Sequence, residues 1–394
     1  MIGIKSVITV TVVSLALASC GGGSVGSTTG SNPTPVASET YLNQVAVSGL
    51  TTNESVILQD NNANPITVSA NQTVTFPASW QTTNTYAVTV ASQTPGVTCG
   101  TSSASGTTGI ADVTVTVSCS AGTESVLYSF STGTDGAIPV AGLITDGNGN
   151  LYGTTFNGGT NSNGTVFKLT PNSAGGYNES VLYSFGTGTD GANPQQAALI
   201  TDGNGNLYGT TFNGGTNGNG TVFKLTPNSA GGYNESVLYR FGANGATDGA
   251  NPYAGLITDT NGNFYGTTAY GGTNSNGTVY KLTPNSTGGY TESVLHSFAG
   301  GTGDGAIPVA SLITDGNGNF YGTTQYGGTN NNGTVFKLIA NSSGGYTESV
   351  LFSFGTGTDG ANPYAGLITD ASGNLYGTTQ NGGTNNSGSV FKIN

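Results

Sequence analysis

Apolar and polar residues alternate in short runs along the chain, and segments rich in glycine and asparagine separate these runs. Within residues 142–185 the pattern predicts four strands: A at 143–146, B at 151–155, C at 165–170 and D at 180–185. The link Gly147-Asn148-Gly149-Asn150 between A and B is built of residues that accept a positive φ, as a tight hairpin requires. Three successive hairpins predict a four-stranded antiparallel meander.

This pattern recurs along the chain, because the tetrad Glu-Ser-Val-Leu that opens strand D begins at residues 124, 179, 235, 292 and 348, a period of 55 to 57 residues. Such self-similarity indicates a stacked array or a propeller. Strands C and D carry apolar residues on both faces, which favours sheets buried between two neighbours. The array begins with a lone strand D at 124–130 and ends with a lone strand C at 389–393, so the first strand can complete the last blade.

The predicted fold is therefore all-β, with a five-bladed β-propeller of four-stranded antiparallel blades over residues 122–394. A β-solenoid is the alternative architecture. In a propeller the D–A and B–C links share one face, and the A–B turns lie on the other.

Residues 40–121 predict a small β-sandwich, because short β-type runs alternate there with turn signals. The segment resembles the small immunoglobulin-like modules of bacterial surface lipoproteins, through Tyr86-Ala87-Val88-Thr89-Val90 and the strand that ends at Cys119. An oxidising compartment favours a disulfide between Cys99 and Cys119, and two free buried thiols are the alternative. Trp80 is interpreted as a core or module-interface residue.

Residues 1–19 have the basic start and short apolar run of a signal peptide. They lead into Leu17-Ala18-Ser19-Cys20, which resembles the lipobox of bacterial lipoproteins and implies lipidation of Cys20 and anchoring to a membrane. No aspartate follows the cysteine, which by the same resemblance implies the outer membrane. An ordinary secretory signal with an incidental cysteine is the alternative. Residues 20–39 are rich in Gly, Ser, Thr and Pro and predict a flexible tether.

The repeats themselves resemble the Gloeo/Verruco tandem repeat of bacterial extracytoplasmic proteins. The likeness rests on the recurrent Leu-Tyr-Gly-Thr-Thr, Gly-Gly-Thr-Asn and Gly-Thr-Val-Phe-Lys-Leu. It implies the repeat architecture and an extracytoplasmic location, and it supplies no catalytic residues.

Charge excludes nucleic acid as a partner, since the formal net charge is −12 and only 7 of the 394 residues are Lys or Arg. Five of these lysines occupy one position in strand C, namely Lys168, Lys224, Lys281, Lys337 and Lys392. The C–D hairpin could bring each lysine near the glutamate that opens strand D, and we expect such pairs to fix register more than stability.

Two sets of aspartates recur with the repeat. The set in the D–A links is Asp135, Asp190, Asp248, Asp304 and Asp359, and the set that ends strand A is Asp146, Asp202, Asp259, Asp315 and Asp370. Clustered carboxylates suit Ca²⁺, so the first set is a candidate cation ring near the channel mouth. The alternative is that each aspartate caps its own turn. No other cofactor is expected.

Composition also argues against an enzyme. The sole histidine, His296, occupies a strand D position held by Tyr or Phe in the other repeats, so it is interpreted as a packing variant. With the cysteines joined, Ser-His and Cys-His catalysis has no candidate residues. A carboxylate-pair glycosidase needs two acids in unlike surroundings, whereas these acids sit in near-identical repeats.

The repeats differ mainly on the face that bears the D–A and B–C links. The candidate ligand residues there are Tyr253, Tyr364, Gln195, Phe156, Phe212, Tyr270 and Tyr326. Aromatic rings among Asn, Thr and Gly suit sugar rings, and packing of these rings between blades is the alternative. The sequence thus predicts a lipid-anchored, non-enzymatic binding protein for glycan or another envelope polymer. A scaffold for surface proteins and a polysaccharide hydrolase or lyase are the competing hypotheses.

Overall fold

The computed structural model describes residues 43–76, 85–102, 105–107, 113–122, 124–131, 133–186, 188–286, 288–342, 344–355 and 358–394. The chain separates into two units, Met1–Ser125 and Val126–Asn394. The predicted lipidation site Cys20 and Trp80 lie outside the described residues. Among the residues described, no helix is both long and apolar enough to cross a membrane.

The N-terminal unit contains two four-stranded sheets, in the orders β4-β1-β8-β6 and β3-β2-β5-β7. The strands are β1 (Asn43–Ser48), β2 (Val56–Asp60), β3 (Ala63–Val68), β4 (Gln72–Thr75), β5 (Thr85–Gln93), β6 (Val97–Ser102), β7 (Ser105–Thr107) and β8 (Val113–Ala121). Alternate valines of both sheets, such as Val45, Val88 and Val115, are buried in one core. Cys99 and Cys119 lie opposite each other on β6 and β8 and form a disulfide.

The second unit repeats one antiparallel sheet. Strands A, B, C and D of the first repeat are β9 (Ile144–Thr145), β10 (Leu151–Thr155), β11 (Thr165–Pro171) and β12 (Tyr177–Ser184). The second repeat has β13 (Gly191–Ala192), β14 (Ile200–Thr201), β15 (Leu207–Thr211), β16 (Asn213–Gly214), β17 (Thr221–Pro227) and β18 (Tyr233–Arg240). The 3₁₀-helix Gly245–Thr247 follows in the link to the third repeat.

The third repeat has β19 (Gly249–Pro252), β20 (Ile257–Thr258), β21 (Phe264–Gly271), β22 (Thr278–Pro284) and β23 (Tyr290–Ser297). The fourth has β24 (Gly305–Ala306), β25 (Ile313–Thr314), β26 (Phe320–Thr324), β27 (Tyr326–Gly327), β28 (Thr334–Ala340) and β29 (Tyr346–Ser353). The fifth has β30 (Gly360–Ala361), β31 (Ile368–Thr369), β32 (Leu375–Thr379), β33 (Asn381–Gly382) and β34 (Ser389–Ile393). The predicted all-β, antiparallel, four-stranded repeat is confirmed for the first, second and fourth repeats, and in the third repeat β19 joins the same sheet as a fifth strand.

The apolar core of this unit lies between successive sheets. One cluster joins Val166 and Phe185 of the first repeat to Leu199 and Phe223 of the second, and the later repeats form equivalent clusters. Phe185 and Phe223 meet edge to face, with ring centroids 5.1 Å apart. The sheets therefore bury both faces, as the two-sided apolar pattern of strands C and D predicts.

The structure does not contain the predicted pairing of the first strand D with the last strand C. Residues 124–130 form no strand, and within the described part of the chain β34 pairs only with β32, so the fifth sheet has three strands. The free edge leaves Val390 81% exposed, whereas the equivalent Val166 is fully buried. Phe130 nevertheless packs edge to face on Phe167 at 4.9 Å, as Phe185 packs on Phe223.

Candidate functional site

A cavity of about 250 Å³ is lined by residues from all five repeats. Its lining comes from the segments that precede strand A, and includes Gly142, Gln196, Ala254, Ala310 and Ala365. Three of these segments directly follow the candidate ligand residues Gln195, Tyr253 and Tyr364. The structure thus gathers links from all five repeats around one opening, although they are far apart in the chain.

Three aromatic side chains from three repeats contact one another beside this cavity. Phe212 meets Tyr253 edge to face at 5.6 Å, and Tyr253 meets Tyr364 at 5.7 Å. The Tyr253 and Tyr364 hydroxyls also form a hydrogen bond. Burial, this bond and the nearby Tyr270 raise the pKa of Tyr364, so its hydroxyl stays protonated at physiological pH. We call Phe212, Tyr253 and Tyr364 the aromatic cluster.

The remaining predicted ligand residues differ in how much surface they offer. Tyr270 and Tyr326 are 44% and 37% exposed. Phe156 and Gln195 are half-buried, as are all three members of the aromatic cluster. The ring surface available to a ligand therefore comes chiefly from Tyr270 and Tyr326, while Tyr253 and Tyr364 support each other.

The D–A aspartates each accept hydrogen bonds from their own turn. Asp190 accepts the Tyr183 hydroxyl at 2.7 Å and the backbone N–H of Gly186 at 2.7 Å. Asp135 and Asp248 accept equivalent bonds from Tyr128 and Tyr239. The geometry is that of turn capping, and Ca²⁺ binding by the whole set stays a prediction.

Each of the first four D–A aspartates also faces a glutamate of the next repeat. The pairs are Asp135 with Glu179, Asp190 with Glu235, Asp248 with Glu292 and Asp304 with Glu348. In all four glutamates Oε1 is buried and meets no hydrogen-bond donor among the described residues. Burial, followed by repulsion from the aspartate, raises the pKa of Glu235, Glu292 and Glu348 to about 7. We call these four pairs the interface carboxylate pairs.

The expected pairing of strand C lysines with strand D glutamates is wrong. Lys168 lies opposite Ser180, and Glu179 lies opposite Leu169, so lysine and glutamate point to opposite faces of the sheet. The Lys168 ammonium instead lies 5.6 Å from the centroid of the Tyr152 ring. The other four strand C lysines lie over the equivalent tyrosines at 5.1 to 5.9 Å. A cation–π contact therefore replaces the ion pair.

The aspartates that end strand A hold their hairpins closed. Asp146 accepts the backbone N–H groups of Asn148 and Asn150, the Asn150 amide at 2.7 Å and the Tyr152 hydroxyl at 3.0 Å. These bonds lower the pKa of Asp146 to about 2. The structure gives this set a role in turn formation.

His296 packs edge to face on Phe298 at 4.6 Å, which is the packing expected of a variant of the strand D tyrosine. Its Nε2 also lies 3.2 Å from Asp304 Oδ2 and 3.3 Å from Oδ1. One ligand atom each from His296, Asp304 and Glu348 lie within 4.8 Å of one another. Sequence analysis missed this group because Glu348 comes from the next repeat and its side chain was expected to pair with a strand C lysine.

Comparison with known proteins gives one family and several distant structural similarities. A gluconolactonase from Xanthomonas campestris is 13% identical, with a TM-score of 0.39 over 65% of this chain and 76% of that one. An ulvan lyase is 12% identical, with a TM-score of 0.39 over 64% and 67%. A protein of unknown function from Dyadobacter fermentans is 11% identical, with a TM-score of 0.36 over 91% and 100%. No curated protein matches the sequence.

The sequence model of the Gloeobacter/Verrucomicrobia repeat matches residues 84–303 and 229–394, which together span every described repeat. The matched ranges cover well over half of the chain. The chain therefore belongs to the Gloeobacter/Verrucomicrobia repeat family.

Proposed function

We propose that this chain is a non-enzymatic binding protein of the bacterial envelope, and that its repeat unit recognises a glycan or another envelope polymer. The observation that carries the proposal is the contact between aromatic side chains of three repeats, in which Tyr253 and Tyr364 directly precede residues that line the cavity shared by all five repeats. Exposed aromatic rings beside fixed polar groups are typical of ligand sites, where the rings supply contact area and the polar groups supply orientation.

The surroundings of these rings suit a neutral or weakly charged polymer rather than a charged ligand. Asn193 donates from its amide to the Phe156 carbonyl, and Asn251 donates to the Phe212 carbonyl, so the links beside the aromatic residues are held in place. None of the candidate ligand residues is Asp, Glu, Lys, Arg or His. Hydroxyl, amide and backbone groups next to flat rings match the alternating polar and apolar surfaces of a sugar.

A binding screen of the full-length protein on glycans and envelope fractions tests the proposal. We expect saturable binding that weakens at least tenfold on combining Tyr270→Ala with Tyr326→Ala, because these are the most exposed rings of the face. Ile339→Ala is the matched control, since Ile339 is 41% exposed but lies near the C–D hairpin, away from that face. Absence of binding across the screen, or equal weakening by Ile339→Ala, would reject the glycan proposal.

The carboxylates support a non-enzymatic function. Two of the interface carboxylate pairs, Asp135–Glu179 and Asp304–Glu348, join an aspartate of lowered pKa to a glutamate of raised pKa, as a glycosidase needs. Oε1 of the glutamate in all four pairs is nevertheless buried between sheets, where a polymer has no access. Incubation of the purified protein with envelope polysaccharides should release neither reducing ends nor unsaturated products. Release that is lost in Glu292→Gln would establish a polysaccharide-active enzyme instead.

We further propose that the repeat unit is a five-bladed β-propeller whose ring is completed when residues 126–130 pair with β34. Support comes from the exposed edge of β34, from the strand D sequence of the segment and from the contact between Phe130 and Phe167. In the first repeat Ser184 lies opposite Thr165, which makes Ser129 the expected partner of Ser389.

Oxidation of a Ser129→Cys/Ser389→Cys chain in a Cys20→Ser background tests this closure. We expect an intramolecular disulfide, visible as a faster-migrating monomer on a non-reducing gel. Ser131→Cys/Ser389→Cys, two residues out of register, is the control and should remain reduced. Disulfide-linked dimers would show that the edge pairs between copies, and free thiols in both variants would reject closure.

We propose an extracytoplasmic, lipid-anchored location, supported by the lipobox-like sequence before Cys20. Cells that produce the wild-type chain should incorporate labelled palmitate into it, and Cys20→Ser should abolish the label. Labelling that persists in the variant would contradict the anchor.

A further inference from the structure

We propose that His296, Asp304 and Glu348 form a binding site for one Zn²⁺ ion between the third and fourth repeats. Imidazole and carboxylate together are ligands that zinc prefers, whereas Ca²⁺ takes oxygen ligands. The site differs from the predicted ring of five aspartates. It uses only Asp304 of that ring, together with His296 on β23 and Glu348 on β29.

The distances bring the three ligands within reach of a single ion. Two ligands on one tetrahedral zinc lie about 3.4 Å apart, since zinc bonds to nitrogen and oxygen are about 2.1 Å long. His296 Nε2 and Asp304 Oδ2 are already 3.2 Å apart, and all three ligand atoms lie within 4.8 Å of one another. A side-chain rotation that moves the Glu348 carboxylate by about an ångström brings all three ligands to this spacing. The fourth coordination position of the zinc ion is then left for water.

The surroundings hold the ligands as zinc sites commonly do. The Asp304 carboxylate accepts the backbone N–H groups of Ala299 at 2.7 Å and Gly305 at 2.6 Å, which fix its orientation. His296 is oriented by its packing on Phe298. Glu348 Oε1 is buried and meets no donor among the residues described, so it is available to a cation.

The other repeats provide internal controls for the choice of metal. The equivalent interfaces have the same acidic pair but place Tyr128, Tyr183 or Tyr239 where the interface of the third and fourth repeats has His296. A neutral tyrosine hydroxyl donates to the aspartate and offers zinc no nitrogen ligand. We therefore expect one zinc ion per chain rather than four.

Titration calorimetry of ZnCl₂ into the chelator-treated, full-length protein, purified without a histidine tag, tests the site. We expect one ion per chain with a micromolar or lower Kd, a higher melting temperature with Zn²⁺ than with chelator, and no comparable response to Ca²⁺. Co²⁺ in place of Zn²⁺ should give the visible absorption of a tetrahedral centre.

His296→Tyr is the decisive variant, because it installs the residue that the first and second repeats carry and should preserve the fold. It should weaken zinc binding at least tenfold while leaving the melting temperature in chelator close to that of wild type. Glu348→Gln should also weaken binding, whereas Glu292→Gln should not. A wild-type chain that binds no Zn²⁺, or a His296→Tyr chain that binds it equally well, would reduce the group to a hydrogen-bonded contact and overturn the proposal.

Discussion

Replacing Gly220 with alanine should lower the free energy of unfolding of the repeat unit by about 2–5 kcal/mol. Gly220 has a φ of +90°, which an L-residue adopts only at a cost of about 1–2 kcal/mol. A Cβ there would lie 2.3 Å from the Thr211 carbonyl oxygen and 2.7 Å from Pro252 Cδ of the next repeat. Neither neighbour is the end of a flexible side chain, so overpacking adds about 1–3 kcal/mol.

Gly231→Ala separates the backbone effect from the clash. Gly231 also has a positive φ, +82°, but a Cβ there would meet nothing within 4 Å. This control should lose only about 1–2 kcal/mol. Scanning calorimetry can measure both variants, with the transition of the N-terminal unit as an internal reference. Equal losses in the two variants would show that the contact with Pro252 does not hold neighbouring repeats together.

Local sequence determines most of the repeat. Strand B was predicted at residues 151–155 and occupies Leu151–Thr155, because a hairpin of Gly and Asn fixes one end and a glycine-rich link fixes the other. Strand D begins at Tyr177, three residues before the predicted start, since Pro171 and Tyr177 extend the C–D ladder beyond the apolar run. The ladder between Gly191 and Gly214 was not predicted, because glycine has little strand preference of its own.

The register of the C–D hairpin is what the sequence could not supply. The nine residues between the predicted strands C and D do not select one register, and a shift of a single residue moves every side chain to the other face. A one-residue shift would place Glu179 on the same face of the sheet as Lys168. In the observed register the two side chains lie on opposite faces, and Lys168 contacts the Tyr152 ring instead. The sequence signal that remains is the recurrent tyrosine in strand B, which lies opposite the lysine in every repeat, as Tyr152 lies opposite Lys168.

Contacts between repeats were even less accessible from the sequence. Tyr253 and Tyr364 are separated by 111 residues, and only the arrangement of repeats around the cavity brings their hydroxyls together. The interface carboxylate pairs likewise join a link of one repeat to a strand of the next. The tyrosines and the acidic residues of these two groups were singled out from the sequence. Which residue contacts which follows only from the tertiary structure.

Raising the pH from about 5 to 8 should destabilise the repeat unit through Glu235 and Glu292. Their folded-state pKa is raised from 4.5 to about 7, by burial first and then by Asp190 and Asp248, with Arg240 opposing the effect at Glu235. Below pH 4.5 both residues are protonated in the folded and unfolded states alike. As the pH rises toward 7, the unfolded chain releases these protons while the folded chain retains them, so the free energy of unfolding falls.

The expected loss is about 1–2 kcal/mol for each glutamate once solvent screening of these half-buried groups is allowed for. The double variant Glu235→Gln/Glu292→Gln should match wild type near pH 5 and exceed it by about 2–4 kcal/mol at pH 8. Comparing the two chains at each pH by calorimetry cancels the titration of every other group. If the difference between the two chains does not grow with pH, these glutamates ionise in the folded protein as they do in the unfolded chain. Burial between the sheets would then not raise their pKa.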